Sequence, residues 1–394
     1  MVSPEGAAGA DGRTGIIARS VHGLEWVCAW EACNGGAVPS GVRLSRRQVD
    51  FEVGSSASWL LGLRAADDVF VRVGATDIGP AKADLPALGQ AAAALDWRRP
   101  LERIRAVRPV PEHGSFDVVA SIEGRRSYNR FAVERSIGLA VAPILGATFA
   151  DRADGARAGA HSEFTVRVFV RDDQATIAVR LGVRPLHRRA YKVNTGPGTL
   201  HPPVAAALIA IGGLAASTLA DPFCGDGTIA IEAALARPQL RILASDADPL
   251  RVHNARENAG RAGVNIGVRL GDAGTLADRV TDVDAIITNP PWNQAVSASG
   301  QLRTSGHEFV DSLARALRPD GVLCCIAEAD LGVPAMVSRR GWQLGLVQRI
   351  RLAGRVADVS LATPPGGSLP SLPLSLARWR QDALAAGIVT ESGF

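Results

Sequence analysis

The chain has 394 residues, of which 47% are hydrophobic and 21% charged, and its formal net charge is +4. This length exceeds one ordinary domain, and the composition excludes a disordered protein. The basic balance is compatible with a polyanionic partner, but many enzymes are mildly basic, so charge alone selects no function.

The cysteines and the apolar segments exclude further classes of protein. Five cysteines do not make a disulfide framework in a chain of this size, and most are expected as small buried side chains. Residues 1–19 lack the apolar core of a secretory signal. Residues 204–220 are apolar but Ala/Gly-rich and short for a membrane span, which favours a buried helix. We therefore expect a cytoplasmic protein that binds neither a membrane nor a metal ion.

The first half of the chain mixes strands and helices without regular alternation. Residues 116–122, 164–170 and 175–181 alternate apolar and polar side chains, as half-buried strands do. Residues 171–174 (RDDQ) form a turn between the last two, which predicts a hairpin. Residues 129–145 are predicted to form a helix. This half is expected to be an α+β region.

A Pro- and Gly-rich segment, residues 194–203 (NTGPGTLHPP), separates this region from a second half with a different pattern of predicted strands and helices. Beyond it strands and helices alternate, which is typical of a parallel sheet with crossover helices. Strands are predicted at residues 218–221, 241–246, 268–271, 285–288 and 321–327, and helices at 228–236 and 249–262. Such a doubly wound α/β fold binds ligands at the carboxyl ends of its strands.

A glycine-rich loop follows the first predicted strand of this half. Asp221 ends the strand, Gly225 and Gly227 allow a sharp turn, and a helix opens at Thr228. The helix N-terminus favours a carboxylate, and Asp221 suits a cationic amino group. Ala230 occupies the third glycine position of a dinucleotide fingerprint, where alanine is tolerated. The loop alone therefore leaves dinucleotide and S-adenosylmethionine sites equally open.

Two more acids end the next two predicted strands. Asp246 is placed to accept hydrogen bonds from both hydroxyls of a ribose, and Asp248 is placed to cap the following helix. Asp272, in the sequence GDA, suits an adenine amino group. Taken singly, Asp246 could be another helix cap and Asp272 a surface turn. Acids at three successive strand ends favour a nucleoside site.

The fourth strand ends in TNPPW, residues 288–292, which is the most specific feature of the chain. The two prolines fix φ and supply no N–H donors, so the loop is rigid and presents carbonyl oxygens. The side-chain oxygen of Asn289 and the carbonyl of Pro290 can accept both hydrogens of a planar amino group. Trp292 offers a face for stacking a base. The alternative is a Pro-Pro turn beside a core tryptophan.

In this order DPFCGDGT, SDAD, GDA and NPPW resemble the motifs of the class I amino-methyltransferases. The segments LHRRAYKV and GTLHPPVAAAL, just before the glycine loop, most resemble the THUMP-domain RNA guanine-N2 methyltransferases. Residues 22–32 and 63–73 resemble the leader region of that family, and residues 116–181 resemble its THUMP domain. The family usually has Asn-Pro-Pro-Tyr-Gly followed by an arginine. Here Trp292 keeps an aromatic face, and the next arginine is Arg303.

The resemblance implies a division of the chain and a set of site residues. Residues 1–60 would be a ferredoxin-like leader, residues 61–193 a THUMP-like RNA-binding domain, and residues 194–394 a Rossmann-like methyltransferase domain. The implied S-adenosylmethionine contacts are Leu200, Asp221, Phe223, Gly225, Gly227, Thr228, Asp246, Asp272, Ala273 and Asn289. The implied catalytic residues are Asn289, Pro290 and Trp292.

The expected function is methylation of guanine N2 in structured RNA, with tRNA as the expected partner. RNA contacts are expected from basic residues near Tyr128 and before the interdomain break, namely Arg125, Arg126, Arg130, Arg184, His187, Arg188, Arg189 and Lys192. The alternative for each is a solvated surface charge. Alternatives for the function are amino methylation of ribosomal RNA or a specialised small molecule, and an RNA-binding module with a vestigial transferase domain.

Overall fold

The computed structural model describes residues 13–35, 39–54, 56–111, 113–152, 162–291 and 306–391. Its strands form two sheets, one in each half of the chain. The N-terminal strands β1–β8 are Thr14–Arg19, Ser40–Ser45, Gln48–Val53, Asp68–Asp77, Ser115–Ile122, Thr148–Phe149, Phe164–Arg171 and Gln174–Arg180. The helices α1–α4 are Glu25–Asn34, Leu85–Ala93, Arg98–Arg105 and Arg130–Leu145.

The N-terminal sheet has the order β2-β3-β1-β4-β8-β7-β5-β6. The predicted hairpin is confirmed, since β7 and β8 pair antiparallel around a turn in which Asp172 has a φ of 49°. The predicted helix is α4, which Asn129 caps by accepting a 3.1 Å hydrogen bond from the N–H of Ala132. It ends where Gly146 turns left-handed, at a φ of 59°.

One continuous sheet runs through both of the N-terminal regions that the sequence separates at residue 60. Strand β4 lies in its middle and pairs with β1 on one side and β8 on the other. The side chains of one face join the main core with the helices, whereas Ile17, Phe70, Phe169 and Ala178 form a small separate cluster on the other face. This second face is the one that meets the C-terminal half, as the cavity described below shows.

The C-terminal half is a Rossmann-like, doubly wound α/β fold. Its strands β9–β15 are Thr218–Asp221, Arg241–Asp246, Gly267–Leu270, Val283–Thr288, Leu317–Glu328, Gln343–Leu352 and Arg355–Thr363. Its helices α5–α10 are Pro202–Gly212, Thr228–Ala236, Pro249–Ala262, Gly306–Ala316, Val333–Ser338 and Leu374–Ala385. The sheet order is β11-β10-β9-β12-β13-β15-β14, with β9–β13 parallel and β14 and β15 antiparallel.

The buried helix expected over residues 204–220 is correct at its start and wrong at its end. Helix α5 stops at Gly212, and β9 begins at Thr218. A Cβ on Gly212 would lie 2.5 Å from the Cβ of Cys324, so the glycine allows the helix to pack closely on the sheet. Gly213 then ends the helix. No helix among the described residues has the length and apolarity to cross a membrane.

The prediction that most of the cysteines are small buried side chains is confirmed. Cys28, Cys224, Cys324 and Cys325 are buried, and Cys33 is half-buried. All five are free thiols. Burial raises the pKa of Cys324, so the thiol stays protonated and behaves as a small apolar side chain.

The two halves are joined by packing and by a buried ion cluster. The C-terminal helix α10 returns to the N-terminal half and packs on α1, where the Nε1 of Trp30 donates to the Oγ of Ser375 at 3.0 Å. On α6 the fully buried carboxylate of Glu232 accepts hydrogen bonds from Arg64, from Arg189 at 3.0 Å and from the hydroxyl of Tyr191 at 2.7 Å. Through Arg64, and through Arg189 and Tyr191 just before the interdomain segment, residues 194–203, this carboxylate links the N-terminal half to the helix that follows the glycine loop.

Replacing Glu232 with alanine should strongly destabilise the protein, because two arginines and one tyrosine would lose their shared acceptor. The expected loss is about 3–5 kcal/mol of unfolding free energy, measured by urea denaturation. The control is Glu102→Ala, which removes an exposed carboxylate 3.8 Å from Arg98 and should cost less than about 1 kcal/mol. Equal losses in the two variants would contradict the structural role of Glu232.

Candidate active site

A large cavity of about 1210 Å³ lies between the two sheets. One wall consists of the loops at the carboxyl ends of β9, β10, β11 and β12. The opposite wall is the face of the N-terminal sheet that the helices leave uncovered. Because four parallel strands end at the same edge, residues far apart in sequence meet at this wall.

Most of the predicted site residues reach the cavity. Those that line it are Leu200, Phe223, Gly225, Thr228, Asp246, Asp272, Ala273, Asn289 and Pro290. Asp221 and Gly227 lie behind the wall, and Trp292 falls outside the described residues. The structure therefore brings the predicted nucleoside contacts and the Asn-Pro pair into one space.

The glycine loop needs both of its glycines. Gly225 and Gly227 have φ values of 52° and 87°, in the left-handed region that side chains disfavour. A Cβ on Gly227 would lie 3.1 Å from the Cβ of Ala255, so this glycine also lets α7 approach. Around Gly225 no atom lies within 4 Å of the Cβ position, which leaves backbone accessible to a ligand.

Asp248 performs its predicted capping role, and Asp246 lies on the cavity wall, where its predicted ligand role requires it to be. Asp248 caps α7 by accepting a 2.8 Å hydrogen bond from the N–H of Leu250. Asp246 lines the cavity, with its two oxygens 2.9 Å from the N–H of Gly225 and 3.0 Å from that of Asp248. Burial raises the pKa of Asp246, although these two N–H groups partly offset it. Its carboxylate is therefore fixed in direction and able to accept further hydrogen bonds.

Asp221 is fully buried behind the cavity wall and not part of its surface. One oxygen accepts hydrogen bonds from the hydroxyl of Thr288 at 2.8 Å and the N–H of Phe223 at 3.3 Å, which ties the end of β12 to the glycine loop. The other oxygen has no hydrogen-bond partner among the described residues. Burial raises the pKa of Asp221 to about 7. A buried acceptor without a partner is costly, and a cation beside it would remove that cost.

Asp272 lies on the cavity wall and also caps a short 3-10 turn, Ala273–Asp278, by accepting a 2.8 Å hydrogen bond from the N–H of Gly274. The turn interpretation is confirmed, and the ligand interpretation stays a prediction that the position of Asp272 allows. At the end of β12, the side-chain amide of Asn289 donates to the carbonyl of Gly198 at 3.4 Å. Through this contact, the segment that precedes α5 orients the side-chain amide of Asn289.

A residue that the sequence analysis did not single out organises this wall. Asp226, between the two glycines, is buried and accepts hydrogen bonds from the N–H of Gly196 at 2.8 Å, the hydroxyl of Thr199, Asn254 at 2.9 Å and Arg251 at 2.9 and 3.0 Å. Burial would raise the pKa of Asp226, but these donors together hold it below its ordinary value. The carboxylate fastens the interdomain segment and α7 to the glycine loop.

The segment before α5 carries a second set of polar side chains into the cavity. His201 lies 2.7 Å from an oxygen of Asp67, and its ring is 5.3 Å from that of His187. The ammonium group of Lys192 donates to the carbonyl of Leu200 at 2.8 Å, and burial lowers the pKa of Lys192 to about 8. Lys192 thus supports the main chain at Leu200.

These contacts correct part of the predicted RNA surface. The guanidinium of Arg189 is occupied by Glu232 and by the carbonyls of Leu186 and Arg64, so this arginine is structural. Arg126 is nearly buried and pairs with Asp173 at 3.2 Å, and the buried Tyr128 donates to Gly79. The predicted basic residues that remain exposed are Arg125, Arg130, Arg184 and Arg188.

The fold and the cavity at its strand ends are those of Rossmann-like methyltransferase domains. The described residues contain no group of three or more histidine, cysteine or acidic side chains arranged to hold a metal ion. Residues 189–357 match the family model described as RMKL-like, methyltransferase domain, and this part of the chain is such a domain.

Named relatives point to the same class. The chain is 35% identical, over 229 residues, to a tRNA (guanine(6)-N2)-methyltransferase of Thermus thermophilus. It is 33% identical, over 148 residues, to a tRNA (guanine(10)-N2)-dimethyltransferase of Methanothermobacter thermautotrophicus. These alignments cover 56% and 36% of this chain but only 65% and 43% of the relatives' own lengths. A crystal structure of TrmN from Thermus thermophilus matches with a TM-score of 0.70 at 27% identity, covering 89% of this chain and 99% of that one.

Replacing Asp226 with alanine should loosen the segment around Gly196, because its N–H would lose a charged acceptor. Hydrogen exchange followed by mass spectrometry should show exchange faster by roughly 10-fold or more in residues 194–200. The control Asp278→Ala, at an exposed position, should leave this segment unchanged. Unaltered protection in the Asp226 variant would contradict its anchoring role.

Proposed function

We propose that this protein is an S-adenosylmethionine-dependent methyltransferase that modifies an exocyclic amino group of a base in structured RNA, with guanine N2 of tRNA as the acceptor. The observation that carries the proposal is the meeting of Asn289 and Pro290 with Asp246 and the glycine loop in one cavity. Asn289 and Pro290 suit a planar amino nitrogen, whereas Asp246 and the glycine loop suit a nucleoside cofactor. The names of the tRNA methyltransferase relatives support the choice of guanine and of tRNA.

The cavity residues fit the proposed cofactor. The fixed carboxylate of Asp246 can accept hydrogen bonds from ribose hydroxyls, and Ala273 and Asp272 line the place for the base. The open backbone at Gly225 allows close approach. Asp221 lies behind the cavity wall, so its carboxylate would favour the ammonium group of the cofactor through its charge and not by direct contact. S-adenosylmethionine supplies an electrophilic methyl group when it is bound.

The acceptor side of the reaction depends on positioning. The oxygen of Asn289 and the carbonyl of Pro290 would accept the two amino hydrogens and so direct the nitrogen lone pair away from them, towards the cofactor loops. Asn289 is held by Gly198, and the strand end behind it is held by Thr288 and Asp221. Groups fixed before the substrate arrives lower the entropic part of the barrier. We propose that Trp292 stacks on the base.

We propose that the N-terminal half delivers the RNA, with a leader in residues 1–60 and a THUMP-like region in residues 61–193. Its exposed arginines and its basic cavity face support a polyanionic substrate. The cytoplasm is the compartment that we propose, because the named relatives are tRNA methyltransferases. Ribosomal RNA is the other RNA that the names of matched relatives include.

The decisive experiment incubates the protein with methyl-labelled S-adenosylmethionine and total cellular RNA, then digests the RNA to nucleosides. The proposal predicts label in N2-methylguanosine from the tRNA fraction. Label in a methylated adenine or cytosine would overturn the choice of base. RNA that acquires no label from an enzyme that binds S-adenosylmethionine would overturn the substrate class.

Replacing Asn289 with alanine should separate catalysis from cofactor binding. The turnover number should fall by about 10²–10³-fold, because one fixed acceptor for the reacting amino group is lost. The dissociation constant of S-adenosylmethionine, measured by calorimetry, should change by less than about 3-fold. Asp246→Ala is the matched variant and should instead weaken cofactor binding by roughly 10-fold or more. The account fails if Asn289→Ala loses cofactor binding but keeps its turnover.

Cofactor binding should release a proton near neutral pH. Burial raises the pKa of Asp221 to about 7 in the free protein, and the charge of an ammonium group bound on the cavity side of the wall would favour the carboxylate. Affinity should therefore increase as pH rises through 7, and calorimetry in buffers of different ionisation enthalpy should detect the released proton. Asp221→Asn should abolish the release, whereas the control Asp278→Asn should retain it. The same proton release in wild type and Asp221→Asn would exclude Asp221 as its source.

A further inference from the structure

The cavity wall formed by the N-terminal sheet carries a group of arginines above aromatic rings. Arg19 on β1 and Arg167 on β7 place their guanidinium carbons 4.8 and 5.2 Å from the ring centre of Phe169. Phe169 packs edge-on against Phe70 at 5.7 Å, and Arg180 lies 5.8 Å above Phe70. The rings are buried, so they serve as a floor that fixes the guanidinium groups by cation–π contact.

The arginines of this wall differ in how their charges are balanced. Arg180 pairs with Asp68 at 2.8 Å. Arg19 and Arg167 form no ion pair with any carboxylate of the described residues. Arg19 donates to the side-chain oxygen of Gln48 at 3.0 Å, and Arg167 donates to the carbonyl of Val119 at 3.2 Å. Two partly buried cations with only neutral acceptors therefore face the cavity.

Burying the charged guanidinium groups of Arg19 and Arg167 is unfavourable for the free energy of folding. Burial first, and then the neighbouring arginines, lower the pKa of Arg19 to about 10, and Asp67 offsets only part of this effect. Burial and Arg180 likewise lower the pKa of Arg167 to about 10, against a partial offset from Asp68 and Glu134. Partial burial of a charge without a counterion is unfavourable in the free protein. An anion that enters the cavity would remove this cost. Guanidinium groups bind phosphate and carboxylate oxygens in a planar, bidentate geometry, and phosphate is the anion that an RNA substrate carries.

The two walls of the cavity carry opposite excess charge. The wall of strand ends has Asp226, Asp246, Asp248 and Asp272 against Arg251, and the wall of the N-terminal sheet has Arg19, Arg47, Arg167 and Arg180 against Asp67 and Asp68. A neutral or cationic nucleoside fits the first wall, and a phosphodiester fits the second. One substrate can use both walls only if a base and its backbone phosphate enter the cavity together.

We propose that Arg19 and Arg167 form a phosphate-binding subsite that holds the RNA backbone next to the nucleotide whose base enters the methyltransferase loops. This inference rests on the proposed function. It places an RNA contact inside the cavity, away from the exposed arginines near Tyr128 and before the interdomain segment. A free nucleotide offers the same phosphate chemistry and is separated from RNA by the experiment below.

The test uses the full chain with Arg19→Gln, Arg167→Gln and the double variant, which keep a hydrogen-bonding side chain and remove the charge. Binding of tRNA is measured at several salt concentrations. Each single variant should weaken binding about 10-fold and reduce the slope of log affinity against log salt by about one phosphate contact. Arg378→Gln, which removes an exposed arginine on α10, should leave affinity and slope unchanged.

Two readouts separate this role from a structural one. The dissociation constant of S-adenosylmethionine should stay within about 3-fold of wild type. The melting temperature of each variant should stay the same or rise, because an unbalanced charge is removed. A lower melting temperature together with weakened cofactor binding would indicate a structural role and overturn the proposal.

The outcome also separates this inference from the proposed function. If wild type methylates RNA and the variants bind RNA with unchanged affinity and slope, the subsite is refuted while the function stands. A second arm compares guanosine with guanosine monophosphate. If wild type neither binds nor modifies RNA but prefers the monophosphate, and the variants lose that preference, the RNA assignment is overturned. If neither RNA nor the monophosphate binds through these arginines, the subsite is overturned as well.

Discussion

The carboxylate of Asp226 is the contact on which the site depends. It lies between the two glycines of the loop after β9 and accepts hydrogen bonds from the segment around Gly196 and from Arg251 and Asn254 on α7. A buried carboxylate has to be satisfied from all sides, so its donors are held in one arrangement. The carbonyl of Gly198, which accepts from the side-chain amide of Asn289, belongs to the segment that is fixed in this way.

The geometry of the cavity follows from how the two sheets are combined. Parallel strands bring acidic residues to one edge, whereas the N-terminal sheet leaves one face free of helices and presents its arginines there. Glu232 and helix α10 hold the halves together, so the two walls keep a defined separation. A substrate that carries a base and a phosphate on one chain matches this arrangement.

The sequence predicts the features that follow local rules, and it misses those that depend on distant partners. Asp246 could be placed because parallel strands end at one edge of a sheet. Asp226 looked like a loop residue, since its donors lie about 25 to 30 positions away in the sequence. Arg189 resembled an RNA contact and turned inward to a buried acid. The cation–π contact of Arg167 with Phe169 could not be predicted, because it depends on how the strands of the whole sheet pair.

The most direct test of the account is a crystal structure of the protein with S-adenosylhomocysteine. The account predicts that the ribose hydroxyls contact Asp246, that the base lies beside Ala273, and that the sulfur faces Asn289 across the cavity. The account would be contradicted if the product bound elsewhere, or if it bound in the cavity without contacting Asp246.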